Sequence, residues 1–263
     1  MSSIITDQGI LHYEVFGRGK PVILLHGWLG SWGLWQETMT FLGKNYRTYA
    51  IDFWGFGESG KKLDTYQIND FVHLVKQFMD QLGIEKAPLV GHSMGGTVAL
   101  LFALKNPAKT DKVVIVGSPI VGSSLAPMLK AAGRRTVAFL IFTFLGTFRK
   151  LMRHYSKSIC SDPRFPMMMD RDLSKTTLEA FLSSIASLRN TDLRPTLPQI
   201  SVPVLGLFGN HDNIVNPNQS KILTELVPAA QIRRFETAGH FIMLDEPKEF
   251  HIQLKKFLDQ ENI

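Results

Sequence analysis

Apolar and polar positions along this chain alternate between two rhythms. Short, continuous apolar runs recur as KPVILLHG at 20–27, YRTYAID at 46–52, APLVGHS at 87–93, DKVVIVGSP at 111–119 and VPVLGLFG at 202–209. Runs of this kind predict strands buried on both faces. AQIRRFETAG at 230–239 reads as a further strand, and ILHYEVFG at 10–17 alternates loosely, as an exposed antiparallel strand does. Between them the period lengthens. Ile68, Phe71, Val72, Val75, Phe78, Met79 and Leu82 recur at helical spacing, with Gly83 placed to end the helix. MGGTVALLFALKNP at 94–107 predicts a second helix stopped near Pro107, and others are expected over 34–43, 217–227 and 247–260. Strands and helices in short-range alternation predict an α/β fold, a mostly parallel sheet with helices on both faces.

Residues 119–200 break the rhythm, with helical patterns and no convincing strand. They are read as a helical cap (lid) inserted into a core of residues 1–118 and 201–263. Inside the cap, TVAFLIFTFLGTF at 136–148 is intensely apolar and flanked by GRR and RKLMRHYSK. It is shorter than the roughly 20 residues of a membrane-spanning helix. Two readings stand: a cap-core helix lining a hydrophobic acyl pocket, or an interfacial helix whose basic flanks, over 130–157, meet an anionic membrane. FPMMMD at 165–170 reads as packing at a helix start.

The chain is 263 residues long, enough for one large domain. Its one cysteine, Cys160, excludes an internal disulfide and a cysteine-based metal site. MSSIITDQG lacks the basic-then-apolar pattern of a signal peptide, so a cytoplasmic location is expected. Seven Lys and Arg lie between Pro119 and Ser161 with no Asp or Glu, against a net charge of +6 for the whole chain. The basic character thus belongs to one segment, which argues against nucleic-acid binding by the fold as a whole.

The chemistry centres on GHSMGG at 91–96, where an apolar strand gives way to a helix. A turn this sharp needs small residues two before and two after the serine, and Gly91 and Gly95 supply them. The plainer reading is a Gly/Ser turn with Ser93 capping the helix. As a nucleophile, Ser93 needs a base. His12 lies on the expected sheet edge, His73 and His251 within helices and His154 in the cap. His26 belongs to a strand end, and His92, next to Ser93, is expected to point elsewhere. His240 follows the last strand, where a loop reaches the carboxyl edge of the sheet. A solvated loop histidine is the plainer alternative. Asp212, just beyond VPVLGLFG, would hold that imidazole in one tautomer. Asp52 opens a glycine-rich loop and is read as fixing it through backbone N–H groups. Asp245 marks the approach to the last helix. The backbone N–H groups of Met94 and Trp28 would form an oxyanion hole.

HGW at 26–28, DFWGFGES at 52–59, GHSMGG, GNHDNIV at 209–215 and GHF at 239–241 together resemble the α/β-hydrolase superfamily over nearly the whole chain. The resemblance implies a Ser93–Asp212–His240 triad, no cofactor and no metal. Serine at the nucleophile position speaks against the dehalogenase and epoxide-hydrolase branches. The expected activity is hydrolysis of carboxylic esters with an apolar acyl or alcohol part through an acyl-enzyme, on a small-molecule or lipid-like substrate. The same three residues also serve thioesterases, C–C bond hydrolases, amidases, peptidases and acyltransferases, and the fold also builds ligand receptors.

Overall fold

The structure, a computed structural model, describes residues 2–61 and 65–261, the Lys157 side chain excepted. The strands are β1 (Ser2–Thr6), β2 (Gly9–Gly17), β3 (Lys20–Leu25), β4 (Tyr46–Ile51), β5 (Ala87–His92), β6 (Thr110–Val116), β7 (Val204–Gly209) and β8 (Gln231–Phe235). Among the described residues they form one sheet in the order β1-β2-β4-β3-β5-β6-β7-β8. β1 and β2 run antiparallel, as do β2 and β4, and the remaining pairs are parallel. The helices are α1 (Gln36–Leu42), α2 (Ile68–Gln81), α3 (Met94–Lys105), α4 (Pro127–Ala132), α5 (Arg135–Thr143), α6 (Leu145–Tyr155), α7 (Phe165–Ser174), α8 (Leu178–Asn190), α9 (Gln219–Leu226), α10 (Ile242–Asp245) and α11 (Pro247–Leu258).

The parallel strands are apolar on both sides because the sheet has two cores. Ile23, Leu25, Leu89, Val113 and Ile115 face one core with Phe71 and Phe78 of α2 and Phe102 of α3. Val22, Leu24, Val90, Val114 and Val116 face the other with Trp35 and with Phe250, Leu254 and Phe257 of α11. The side-chain period of two in a strand divides each run between them.

β1 was not legible in the sequence: five residues carry too short an alternation. Its pairing with β2, Ser3 opposite His12, moves β2 away from the sheet edge. His12 is therefore buried rather than edge-exposed, and its Nδ1 lies 2.8 Å from Asp52 Oδ2. Asp52, fully buried at the end of β4, also accepts the N–H groups of Trp32 at 2.6 Å and Glu58 at 2.9 Å. Burial opposes charge on both partners. The hydrogen bond between them overcomes it, together with the Asp52 field at His12, which raises that pKa, and with His26 and the Glu58 and Trp32 N–H groups at Asp52, which lower that one. One carboxylate thus ties together β2, the loop after β3 and the glycine-rich loop.

Between β6 and β7 the chain is helical, α4 to α8. It lies against the sheet's carboxyl edge through α8: Ser183 and Ser187 hydroxyls accept the N–H groups of Tyr66 at 3.1 Å and Ile68 at 3.1 Å, at the start of α2. The apolar run 136–148 is not one helix. Phe144, at φ −110° and ψ 38°, leaves the helical conformation and separates α5 from α6. The break follows Thr143, whose hydroxyl donates back to the Phe139 carbonyl at 2.8 Å, a bond that competes with the helical ladder. Among the described residues no helix is long and apolar enough to cross a membrane.

Asp52→Asn is expected to destabilise the fold by about 2–4 kcal/mol, because it breaks a buried ion pair and weakens two backbone anchors. Urea denaturation of the two proteins at neutral pH measures the difference.

Candidate active site

Four parallel strands, β3, β5, β7 and β8, deliver the chemistry-bearing residues to one edge. After β5 the backbone turns so sharply that Ser93 takes φ 51° and ψ −119°, the left-handed side of φ for a non-glycine residue. Its N–H is anchored on Val116 O of β6 at 2.8 Å. The turn leaves no volume beside it. A Cβ on Gly91 would stand 2.3 Å from Gly95 O, and one on Gly95 would stand 2.4 Å from Leu25 O. Both contacts are with backbone, which side-chain movement cannot relieve. Met94 then opens α3, so its N–H has no intrahelical acceptor.

β7 ends at Gly209, and Asp212 follows on a short turn. Its Oδ1 accepts the N–H groups of Ile214 and Val215, both at 2.8 Å. Its Oδ2 lies 2.8 Å from His240 Nδ1. With both oxygens engaged the carboxylate cannot swing. It fixes the imidazole with the proton on Nδ1 and leaves Nε2 as acceptor. Gly117, at φ 55°, passes beneath this pair, and a Cβ there would sit 3.2 Å from both Asp212 Oδ2 and His240 Nδ1. Ser93 and His240 line the same cavity, though in this arrangement no hydrogen bond joins the Ser93 hydroxyl to His240.

The loop after β3 closes the third side. His26 donates from Nδ1 to Gly27 O at 2.7 Å and accepts the Phe53 N–H on Nε2 at 3.0 Å. Leu29 takes φ 58°, and Gly30 N–H closes the turn on Gly27 O at 3.1 Å. A Cβ on Gly27 would lie 3.0 Å from Ser93 Cβ, so the backbone leading into Trp28 passes against the serine. The Trp28 ring packs on Phe181 with centroids 4.6 Å apart, and its Nε1 donates to Phe181 O at 3.2 Å.

His92 points away from the Ser93 hydroxyl, as expected, and packs at a tilt against His240 with ring centroids 4.6 Å apart, its Nε2 donating to the His240 carbonyl at 3.1 Å. It also lines the cavity. Its Nδ1 is buried without a partner. Asp245 closes α10 just before α11, as expected, and also accepts from Gly239 N–H at 3.0 Å and Ser161 N–H at 2.8 Å. Gly117, Leu29 and Asp172 were missed. Of these only Gly117 had a visible signal, a glycine directly after a strand.

Over the edge lies a cavity of about 360 Å³, lined by Ser93 and His240 below and by Val137, Ile141, Phe148 and Met152 of α5 and α6 above. Met168 and Met169 of the methionine run line it too, where packing alone was expected. Asp172 of α7 also borders it. The carboxylate is nearly buried, takes a hydrogen bond from Ser31 Oγ at 2.9 Å and one from Arg171 Nε at 2.8 Å, and has its pKa raised by burial.

The family model described as alpha/beta hydrolase fold matches residues 20–157 and 161–247. A pimeloyl-[acyl-carrier protein] methyl ester esterase of Aliivibrio fischeri is 27% identical over 95% of this chain and 98% of its own. The carboxylesterase CesB of Bacillus subtilis superposes with a TM-score of 0.83 at 25% identity, covering 99% of this chain and 92% of that one. An esterase of Exiguobacterium antarcticum superposes at 0.85 and 21% identity, covering 98% and 99%.

His26 and His92 carry a pH prediction. Burial lowers both pKa values, that of His92 well below its ordinary value. Unfolding restores an imidazole pKa of about 6.5. The unfolded chain therefore binds more protons below that pH, and the stability these two residues lend is full above it and lost as pH falls. His12, with its raised pKa, contributes in the opposite sense, losing its share as pH rises through the folded value. Melting temperatures recorded between about pH 7.5 and 5.5 are expected to fall less steeply for His92→Gln than for the parent chain.

Proposed function

The chain belongs to the α/β-hydrolase family, and from that premise we propose that it is a serine esterase cleaving carboxylic esters with an apolar acyl or alcohol part. One observation carries the reading: Ser93, on its strained turn, shares an apolar cavity with a histidine whose tautomer Asp212 fixes. The names of the relatives, an acyl methyl ester esterase and a carboxylesterase, point the same way.

The substrate enters beneath α4–α8, which act as a cap, with its apolar part against α5 and α6. His240 Nε2 removes the Ser93 proton as Oγ attacks the ester carbonyl. The carbonyl oxygen, now negative, is held by the N–H groups of Met94 and Trp28. Asp212 stabilises the imidazolium. The C–O bond breaks, the departing alkoxide takes the His240 proton, and the acyl group remains on Ser93. Water, deprotonated by His240, attacks that acyl-enzyme, and collapse releases the acid and restores the serine hydroxyl. No step requires a metal or organic cofactor. A cavity lined by thioether and aliphatic groups favours acyl chains over charged ones.

Ser93→Ala is expected to lower kcat by at least about 10³-fold, and Asp212→Asn by about 10⁴-fold through the wrong tautomer. Undiminished hydrolysis of p-nitrophenyl esters by purified Ser93→Ala protein would falsify the assignment. Ile141→Trp fills the cavity roof, so the ratio of kcat/KM for long over short acyl esters should drop at least about tenfold. Thioester and amide counterparts of the best ester complete the panel.

A further inference from the structure

We propose that the outer face of α5 and α6 is a docking surface for an anionic lipid bilayer. Both helices line the cavity with apolar side chains and also expose apolar ones to solvent, on α6 together with Thr147, Lys150 and His154. The inner side, Val137 and Ile141 on α5, Phe148 and Met152 on α6, lines the cavity. The outer side carries Phe139 (61% exposed), Leu140 (57%), Phe144 (61%), Leu151 (51%) and Tyr155 (55%). None of these five touches the cavity, and of all of α5 and α6 only Ala138 is fully buried. Large rings and leucines held in water on two joined helices are an apolar exposure that a soluble surface seldom keeps without a partner.

The charge around the patch identifies the partner. Arg134 and Arg135 stand at the start of α5, Lys150 precedes Leu151 on α6 and Lys130 lies on α4, and among the described residues none of the four has an ion-pair partner. Arg149 and Arg153 are held by Asp170. No Asp or Glu occurs anywhere between Pro119 and Ser161. Phe and Leu bordered by Lys and Arg match the interface between acyl chains and anionic headgroups, where apolar groups insert and cations stay with phosphate. An acidic protein surface would pair with the same cations, so its capture is the outcome that decides against the bilayer. Docked in this way, the chain holds its cavity directly behind the inserted helices. Met128 of α4, exposed and also lining the cavity, marks a mouth beside them. Docking is independent of the reaction assigned to Ser93, and binding alone tests it.

The 263-residue chain is mixed with vesicles of equal parts phosphatidylcholine and phosphatidylglycerol, or of phosphatidylcholine alone, and sedimented. Binding is expected to favour the anionic vesicles and to weaken as salt rises, a result that needs no variant. Arg134→Gln, Arg135→Gln and Lys150→Gln should each cost about fivefold in partitioning. A triple variant, Phe139→Ser with Phe144→Ser and Leu151→Ser, should lose at least about tenfold while keeping the parent's melting temperature. Equal binding to both vesicle types overturns the proposal, as does a triple variant that binds like the parent. So does capture of an acidic carrier protein through the same residues without vesicle binding, or a solution dimer that the triple variant dissociates.

Discussion

Everything in the site depends on backbone crowding at one turn. Ser93 holds a φ that L-residues avoid, and Gly91 and Gly95 lie so close to neighbouring backbone that no side chain fits at either. Strain of this kind costs about 1–3 kcal/mol and persists only where the surroundings over-determine it. Here the surroundings are β3, β5 and β6. Val116 fixes the Ser93 amide, and the Leu25 and His26 carbonyls press on Gly95. The turn projects the serine from the sheet edge and begins α3 directly behind it, so hydroxyl and free amide are set by the same bend.

The remaining groups meet the serine because parallel strands all end at one edge. Asp212 and His240 come from the loops after β7 and β8, and Trp28 from the loop after β3. Each is then immobilised locally. Asp212 is tethered by two amides of its own turn, His240 by Asp212 and by His92, and the Trp28 loop by the contacts of Asp52 and His26. The polar bonds of the site run mostly to backbone, which keeps distances short without long, mobile side chains.

The helices over this edge obey a different rule. α8 is tied to the body by Ser183, Ser187 and the Trp28–Phe181 contact, whereas α5 and α6 line the cavity and also expose Phe139, Leu140 and Leu151 to solvent. Asp172 is the exception in that lining, a nearly buried carboxylate held by Ser31 and Arg171 at the cavity's margin.

The parallel strands, the long helices and the order Ser93, Asp212, His240 were legible in the sequence because each rests on local rules. A doubly buried strand is continuously apolar, a helix repeats every 3.6 residues, and a sharp turn requires glycine at fixed offsets. What the sequence left open depends on partners distant in the chain. β1 became a strand only through β2, which drew His12 inward to Asp52. His92 was expected to turn from Ser93, but where it would turn was not legible: its partner, the His240 carbonyl, is 148 residues further on. The run 136–148 showed one apolar stretch, and two readings of it competed. Tertiary structure broke it at Phe144 and gave each half an inner and an outer side, because composition counts apolar residues while packing alone decides which way they face.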